Sequence, residues 1–499
     1  MLPGHRLKPF FIARFEQTEP IIPATSQVSF ENDPELQRKG HLMNEELSAA
    51  ARTDIAHHLH SYTNLPEHEQ TGPLVLSHGK GIYVYDEHGR EYIEGLGGLW
   101  NASLGFGEEA LVQAAVEQMR KLPYYHTFAS HGTEPPGRLA ERLKALAPAP
   151  MSKVYFTNSG SEANDTVVKM VWYYNNAAGR PKKKKIISRI KGYHGVTVAS
   201  ASLTGIAINH RDFDLPIANI LHTDCPHHYR FAEPGESEED FATRLAGNLD
   251  RMIVAEGPDT VAAFIAEPVM GAGGVIVPPA TYFEKIQSVL KKHDVLMIAD
   301  EVICGFGRTA NFWGSQTYGI EPDIVVCSKA ISSGYLPISA VLINETIYQG
   351  LVDESRKIGV FGHGFTQSGN PTCAAVALRT LELMEERNLL QHVRSVTPRF
   401  QSRLRELADH PLVGEARGVG LIGALELVSD KKTRTSFDPK LKVGPYLTAR
   451  AREQGLIIRF LNEVAAFCPP LIIEETQIDE MMDRFSRALD ATSAWLSKK

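Results

Sequence analysis

The chain has 499 residues, with 52 basic against 59 acidic side chains and a formal charge of −7. Hydrophobic residues make up 43% and charged residues 22%, which is enough apolar material for a sizeable core and excludes intrinsic disorder. The mild acidity is spread along the chain, which excludes nucleic acid or an anionic membrane as the main partner, and no uninterrupted apolar run reaches the roughly 18 residues of a membrane span.

Residues 1–42 are punctuated by proline and carry no hydrophobic period. His5, Arg6, Lys8 and Arg14 precede the first acid, Glu16, without the apolar core of a secretory signal, so this stretch is read as a flexible or partner-draped arm, with a transit peptide as the alternative. From Asn44 to His60 the pattern predicts a helix that carries the cluster His57, His58 and His60. No acid or cysteine is read at ligand spacing beside these histidines, and no metal is assigned to the chain. Residues 74–95 predict a strand, a turn at Asp86–Gly89 and a second strand. Short apolar runs then alternate with amphipathic stretches. Strands are expected at Lys153–Thr157, Lys185–Ser188, Val261–Glu267, Val295–Asp300 and Ile324–Ser328, and helices at Ser161–Asn176 and Ala280–His293. This alternation predicts an α/β fold with a mostly parallel sheet flanked by helices, whose ligands sit beyond the carboxyl ends of the strands. A long helical run, Pro371–Glu386, opens the last part. Shorter strands at Gly420–Leu427 and Gly455–Arg459 follow, which suggests a smaller α+β lobe. The run Lys182–Lys185 reads as a solvated turn. The five cysteines, Cys225, Cys304, Cys327, Cys373 and Cys468, form no CxxC pair; buried free thiols and a reducing compartment are expected.

Three polar residues fall at predicted strand ends: Glu267, Asp300 and Lys329. Burial lowers the pKa of a lysine and makes its amine a nucleophile toward carbonyls. Taken alone, Lys329 and Asp300 read equally well as an ion pair tying two strands. The run Asn158-Ser159-Gly160-Ser161-Glu162-Ala163-Asn164-Asp165 follows a strand and opens a helix, as an anion nest does, although Ser159 or Ser161 could also be a plain N-cap. No GxxxxGK[ST] occurs, and GLGGLW (95–100) is not a strand–GxGxxG–helix fingerprint. A phosphate nest, a lysine nucleophile and a carboxylate able to pair a pyridinium are the three parts that pyridoxal 5′-phosphate requires.

The motifs GLGGLWNASLG (95–105), FTNSGSEANDTVVKMVWYYNNA (156–177), KGYHGVTVASASLTG (191–205), AEPVMGAGGVIVPP (266–279), IADEVICGFGRT (298–309), CSKAISSGYLPISAV (327–341), HGFTQSGNP (363–371), EARGVGL (415–421) and FCPPLII (467–473) stand in one order. With them the chain resembles the class III (ω-type) aminotransferases, particularly the pyruvate-dependent ω-transaminases and the plant pyruvate-linked GABA transaminases, over residues 44–490. The resemblance implies fold type I of the pyridoxal phosphate enzymes. Residues 101–374 would form the large cofactor domain, and 43–100 with 375–499 a smaller domain built from both ends of the chain. It implies ping-pong transfer of an amino group from a primary amine or ω-amino acid to a keto acid, expected to be pyruvate, giving alanine. Lys329 would bind the cofactor covalently and relay the proton, and Asp300 would keep the pyridine nitrogen protonated. Val302 and Tyr193 would cover the two ring faces, and Gly160 and Ser161 would hold the phosphate. Phe365 and Thr366 would reach the phosphate of a second copy in a homodimer, with a tetramer as the alternative. Glu267 would stand beside the cofactor, and His194 is assigned to the scaffold.

For the substrate, the resemblance implies an arginine that takes the carboxylate. Arg459 matches the mobile arginine of amine–pyruvate enzymes. Arg417 matches the arginine that other relatives pair with an acid five residues after the EP glutamate, where this chain has Ala272. We therefore assign the carboxylate to Arg459. Trp100, Phe128 and Tyr193 would line the pocket. Ala129, in place of a second bulky aromatic, and Gln367 and Asn370, in place of Tyr and His, predict a bulkier or longer donor than GABA. Relatives of the fold also run racemase, aminomutase or decarboxylase chemistry with the same lysine and aspartate. A nicotinamide oxidoreductase and a cofactor-binding regulator are the readings from other classes, and both lack their sequence marks. A cytoplasmic location is expected, with the mitochondrion as the alternative in a eukaryote.

Overall fold

The structure, a computed structural model, describes residues 47–499, so the arm expected at 1–42 and the start of the helix expected from Asn44 lie outside the described residues. These fall into two compact units, one of residues 47–75 and one of Leu76–Lys499. In the first, a helix spans Ala49–His57, with the Ser48 hydroxyl accepting from the Ala51 N–H at 3.0 Å. It stops short of the expected His60 because His58 is already extended (φ −113°, ψ 119°). A second helix, Leu65–Thr71, has proline in its first turn, where the missing N–H costs no hydrogen bond.

The larger unit opens with β1 (Leu76–Lys80), β2 (Tyr83–Asp86) and β3 (Glu91–Glu94). Two strands were expected here; an additional reversal at Gly81 (φ +60°) makes three. The central sheet holds β4 (Lys153–Thr157), β5 (Lys185–Arg189), β6 (Ile220–Thr223), β7 (Val261–Ala266), β8 (Leu296–Asp300), β9 (Ile324–Cys327) and β10 (Ser339–Ile343). Its order is β4-β10-β9-β8-β7-β5-β6; the five strands β5 to β9 run parallel, and β10 is antiparallel to both β9 and β4. β6 and β10 have no counterpart among the expected strands. The first is only four residues long and half apolar, and the second is masked by the Ser/Gly/Pro-rich segment before it.

Successive side chains of a strand face opposite ways, and the cores show it. Ile186, Ala263 and Ile265 pack with Ala163, Val167 and Val171 of the helix Gly160–Ala177. Their neighbours Ile187 and Phe264 pack instead with Phe241, Leu245 and Ile286 of the helices Glu238–Glu256 and Tyr282–Lys292. A parallel sheet covered on both faces needs strands that are apolar throughout, and VAAFIA and IVVC are such strands, every residue buried.

Beyond the long helix Pro371–Glu386 come β11 (Val413–Val419), β12 (Ile422–Leu427), β13 (Leu456–Ile457), β14 (Arg459–Leu461) and β15 (Val464–Phe467). The expected strand Gly455–Arg459 divides at Ile458. β13 joins β3 in parallel, and β14 joins the sheet β11-β12-β15-β14. Among the described residues no helix is long and apolar enough to cross a membrane.

Candidate active site

Three neighbouring parallel strands, β7, β8 and β9, end in Glu267, Asp300 and the Ser328-Lys329 pair, which puts the three polar residues on one sheet edge. The Glu301 N–H donates to the Val326 carbonyl at 2.8 Å and carries the β8–β9 pairing past Asp300. Lys329 opens a turn of 3₁₀ helix at φ +50°, and the Ser339 hydroxyl donates to the Ser328 oxygen at 2.6 Å, so the backbone before the lysine is pinned from β10. Burial lowers the Lys329 pKa, and the nearby Asp300 and Glu267 carboxylates oppose that shift. The neutral, nucleophilic amine is thereby favoured.

Asp300 is buried and its carboxylate is tightly held. Its Oδ2 accepts from Asn164 Nδ2 at 3.0 Å and faces His194 Nδ1 at 2.8 Å; its Oδ1 accepts the Val302 N–H at 3.1 Å. Asn164 also donates to the His194 carbonyl at 2.7 Å, and the Thr204 hydroxyl accepts the His194 N–H at 2.8 Å. His194, assigned to the scaffold from the sequence, thus touches the key carboxylate, and Asn164 was given no role at all. The signal was present in GSEAND: Asn164 sits one helical turn after Gly160 and shares its face. Glu267 accepts the N–H groups of Tyr193 and Gly271, each at 3.0 Å, and burial raises its pKa. It therefore orders the Tyr193 loop, as a residue beside a bound group would.

The nest lies at the start of the helix Gly160–Ala177. The Ser159 side chain caps Glu162 N at 3.2 Å, while the Ser161 hydroxyl accepts the Val196 N–H at 3.1 Å and ties the nest to the loop after Tyr193. A Cβ added at Gly160 would lie 3.3 Å from Val302 Cγ2 and 3.7 Å from Ser328 Cβ, so Gly160, Val302 and the residue before Lys329 bound one space.

Trp100 is buried at φ +66° among Val269, Val275, Ile303 and Val464. Phe128, Phe365 and Thr366 group separately: a Cβ at Gly364 would meet the Phe128 ring at 2.8 Å, and the Tyr124 hydroxyl donates to the Thr366 carbonyl at 2.9 Å. The two arginines differ sharply. The Arg417 Nη1 is shared between Glu415 and Glu426, and its Nε and Nη2 donate to the carbonyls of Gly274 and Val275. Its guanidinium is committed to the structure. Arg459 lies half-buried on β14 and acts electrostatically on Lys329.

A parallel-rich sheet whose strand ends carry a buried lysine, an anchored aspartate and a glycine-serine nest defines a pyridoxal phosphate enzyme of fold type I. Residues 65–489 match the family described as "Aminotransferase class-III", and the chain belongs to that family. It is 51% identical over 421 residues to gamma aminobutyrate transaminase 3, chloroplastic, of Solanum lycopersicum, covering 84% of this chain and 81% of the relative. A solved transaminase with L-Ala is 58% identical, with a TM-score of 0.84, over 85% of this chain and 100% of its own. A thermostable omega transaminase variant, engineered for asymmetric synthesis of enantiopure bulky amines, is 55% identical with a TM-score of 0.89, over 90% of this chain and 100% of its own. The protein is an aminotransferase, and its cofactor is pyridoxal 5′-phosphate.

The residues present fit that cofactor. The Gly160 position is a cradle that a Cβ would fill, at a helix N-terminus where free N–H groups attract phosphate. Asp300, anchored by Asn164, His194 and the Val302 N–H, is a fixed carboxylate of the kind a protonated ring nitrogen would need.

Proposed function

We propose that this aminotransferase uses pyruvate as amino acceptor and takes amine donors bulkier than GABA. The engagement of Arg417 carries the reading, since two carboxylates and two carbonyls already occupy four of its five N–H donors and leave no pair for bidentate binding of a keto acid. Arg459 is then the carboxylate ligand, able to pair bidentately with pyruvate. Two features of similar proteins support it. One relative was solved with L-Ala, the product that pyruvate amination would give. The variant for bulky amines carries changes at a tryptophan, a phenylalanine 28 residues further on and an arginine 331 residues after that. Trp100, Phe128 and Arg459 repeat those residue types at those spacings.

When bound, the cofactor supplies an electron sink that stabilises a carbanion at the substrate carbon. Lys329 would hold the cofactor through Nζ and afterwards move a proton to and from the substrate carbon with the same amine. Asp300 would hold a proton on the ring nitrogen, and His194 and Asn164 would hold Asp300. Val302 and Tyr193 would clamp the ring faces, with Glu267 fixing the Tyr193 backbone. Gly160 and Ser161 would bind the phosphate. Phe365 and Thr366 would complete the phosphate site of a second copy, which makes the active form a homodimer. Phe128, 48% exposed and packed beside Gly364, supports that interface. We retain 101–374 as the cofactor domain and 43–100 with 375–499 as the smaller one; the confinement of β4–β10 to the former and the β3–β13 pairing support the division. The free cysteines support a reducing compartment and hence the cytoplasm, although plant relatives are chloroplastic or mitochondrial.

The test follows the visible band of the bound cofactor as single amines are added without keto acid. The panel comprises GABA, β-alanine, a diamine, 1-phenylethylamine and a long-chain amine. Bleaching by the aryl or long-chain amine, reversed by pyruvate, is the expected result; a clear preference for GABA overturns the donor assignment.

A further inference from the structure

In the unit of residues 47–75, four side chains that play no part in amino transfer converge on one point. Asp54 stands in the last turns of the helix Ala49–His57, and its Oδ2 lies 3.2 Å from Nδ1 of His58, one turn further on. Because the chain extends from His58, His58 and His60 fall on the same side of it, two residues apart. His60 Nε2 thus comes within 2.7 Å of Asp54 Oδ1. The chain turns at Tyr62 (φ +50°) into the helix Leu65–Thr71, which returns His68 to the same carboxylate, Nε2 to Oδ1 at 3.3 Å. The His60 ring centroid lies 4.6 Å from that of His58 and 4.2 Å from that of His68. Asp54 is the acid that the sequence reading overlooked; four residues from His58 is one turn of helix.

We propose that Asp54, His58, His60 and His68 bind one divalent metal ion of the zinc, nickel and copper class. The ligand atoms of Asp54, His58 and His60 all lie within 4.8 Å of one another. A tetrahedron of 2.0–2.1 Å bonds has edges of about 3.3 Å, so shifts of about an ångström or less bring these three to bonding positions; His68 lies outside that group and has to turn further from its place beside Asp54 Oδ1. His68 points to a ligand independently. Its side chain is 9% exposed, and its buried Nε2, though 3.3 Å from Asp54 Oδ1, makes no well-aligned hydrogen bond there. Three imidazoles and one carboxylate are the donor set for such ions rather than for calcium or magnesium. A second cluster, His227 with Glu415 and Glu426, is already neutralised by Arg417 and Arg230 and needs no cation.

The ion would be structural. The two helices have nine and seven residues, shorter than the roughly 12–15 that stand alone in water. Of residues 47–75 only Ala51 is buried, so the apolar packing that joins the helices, Gly72 against Leu47, Ala51 and Ile55, is slight. A metal tying the first to the second reinforces that slight contact, as metals do in units too small for a core.

The experiment uses the untagged, full-length holoenzyme, stripped with EDTA, dialysed and titrated with Zn²⁺ or Ni²⁺ alone. One ion per chain is expected, together with metal-dependent, EDTA-reversible protection of residues 47–75 from proteolysis. His60→Ala and His68→Ala should each weaken binding at least about 10-fold, whereas His57→Ala, outside the cluster, should bind like the wild type. Uptake well below one equivalent overturns the proposal. So does unchanged binding in both cluster variants, or stoichiometric binding without protection of the segment.

Discussion

Arg417 and Arg459 lie within one lobe, yet their expected substitutions differ in kind. Replacing Arg417 with alanine removes the guanidinium shared by Glu415 and Glu426 and leaves only Arg230 on Glu426 and His227 on Glu415, a partial form of the broken buried ion pair that costs about 3–5 kcal/mol when no partner remains. Denaturant unfolding should show a loss of up to that size for Arg417→Ala. Arg459→Ala should instead leave the unfolding midpoint near the wild-type value and raise the KM for pyruvate at least about 10-fold, since a buried charge pair with the substrate is worth more than the 1.4 kcal/mol of one decade. If the two phenotypes exchange, the substrate arginine has been misassigned. Lys329→Ala should abolish the visible band of the bound cofactor and lower kcat by more than the roughly 10²–10⁴-fold of a single acid–base group. Residue identity made Lys329 and Asp300 legible from sequence because each closes an apolar strand. The partners of Asp300 were not legible. Asn164 and His194 come from a helix and a loop whose convergence on β8 is settled only by how the strands are ordered. Asp54 is a different case, visible at helical spacing and passed over.

Among the elements, the loop that follows β5 is packed closely against the nest. Gly195 has φ +134°, and an added Cβ would collide with the hydroxyls of Ser200 and Ser161. Gly195→Ala should therefore push the loop off the nest and weaken cofactor affinity by an order of magnitude or more, measured by loss of the visible band on dilution or by titration of the cofactor-free protein. Long elements with a clear period were readable: the helix expected at Ser161–Asn176 spans Gly160–Ala177, and all five expected central strands are present. The short elements were not. The hairpin at Gly81, the strand Ile220–Thr223 and the break at Ile458 depend on which sheet accepts them, and periodicity over two to four residues carries no such information.

For the molecule as a whole, a carboxylate outside the proposed chemistry sets a pH dependence. Glu301, fully buried, accepts from Gly314 N at 2.9 Å and from both the N–H and the hydroxyl of Ser315 at 2.6 Å. Burial nevertheless raises its pKa from 4.5 to about 7, with the neighbouring Asp300 adding to the shift. The fold holds this proton more tightly than the unfolded chain does. Its contribution to stability is complete below about pH 4.5 and declines as pH rises through about 7, by an amount on the order of a few kcal/mol. Glu301→Gln, a mimic of the protonated acid, should flatten the pH dependence of the unfolding midpoint between pH 5 and 7. An unchanged slope would show that the carboxylate is already ionised there.

The pairing of β3 with β13 also imposes an order of events on the growing chain. The Arg90 guanidinium donates to the Glu453 carbonyl, 363 residues away, beside the only parallel partner that β3 has among the described residues. At a translation rate of about 5–20 residues per second, the hairpin of β1–β3 waits roughly 20 to 70 s with one edge unpaired before that partner is made. An open strand edge is a template for any extended peptide nearby. The first strands of the larger unit are thus the segment for which chaperone occupancy should be heaviest during synthesis, and the one through which a chain stalled before residue 456 should aggregate.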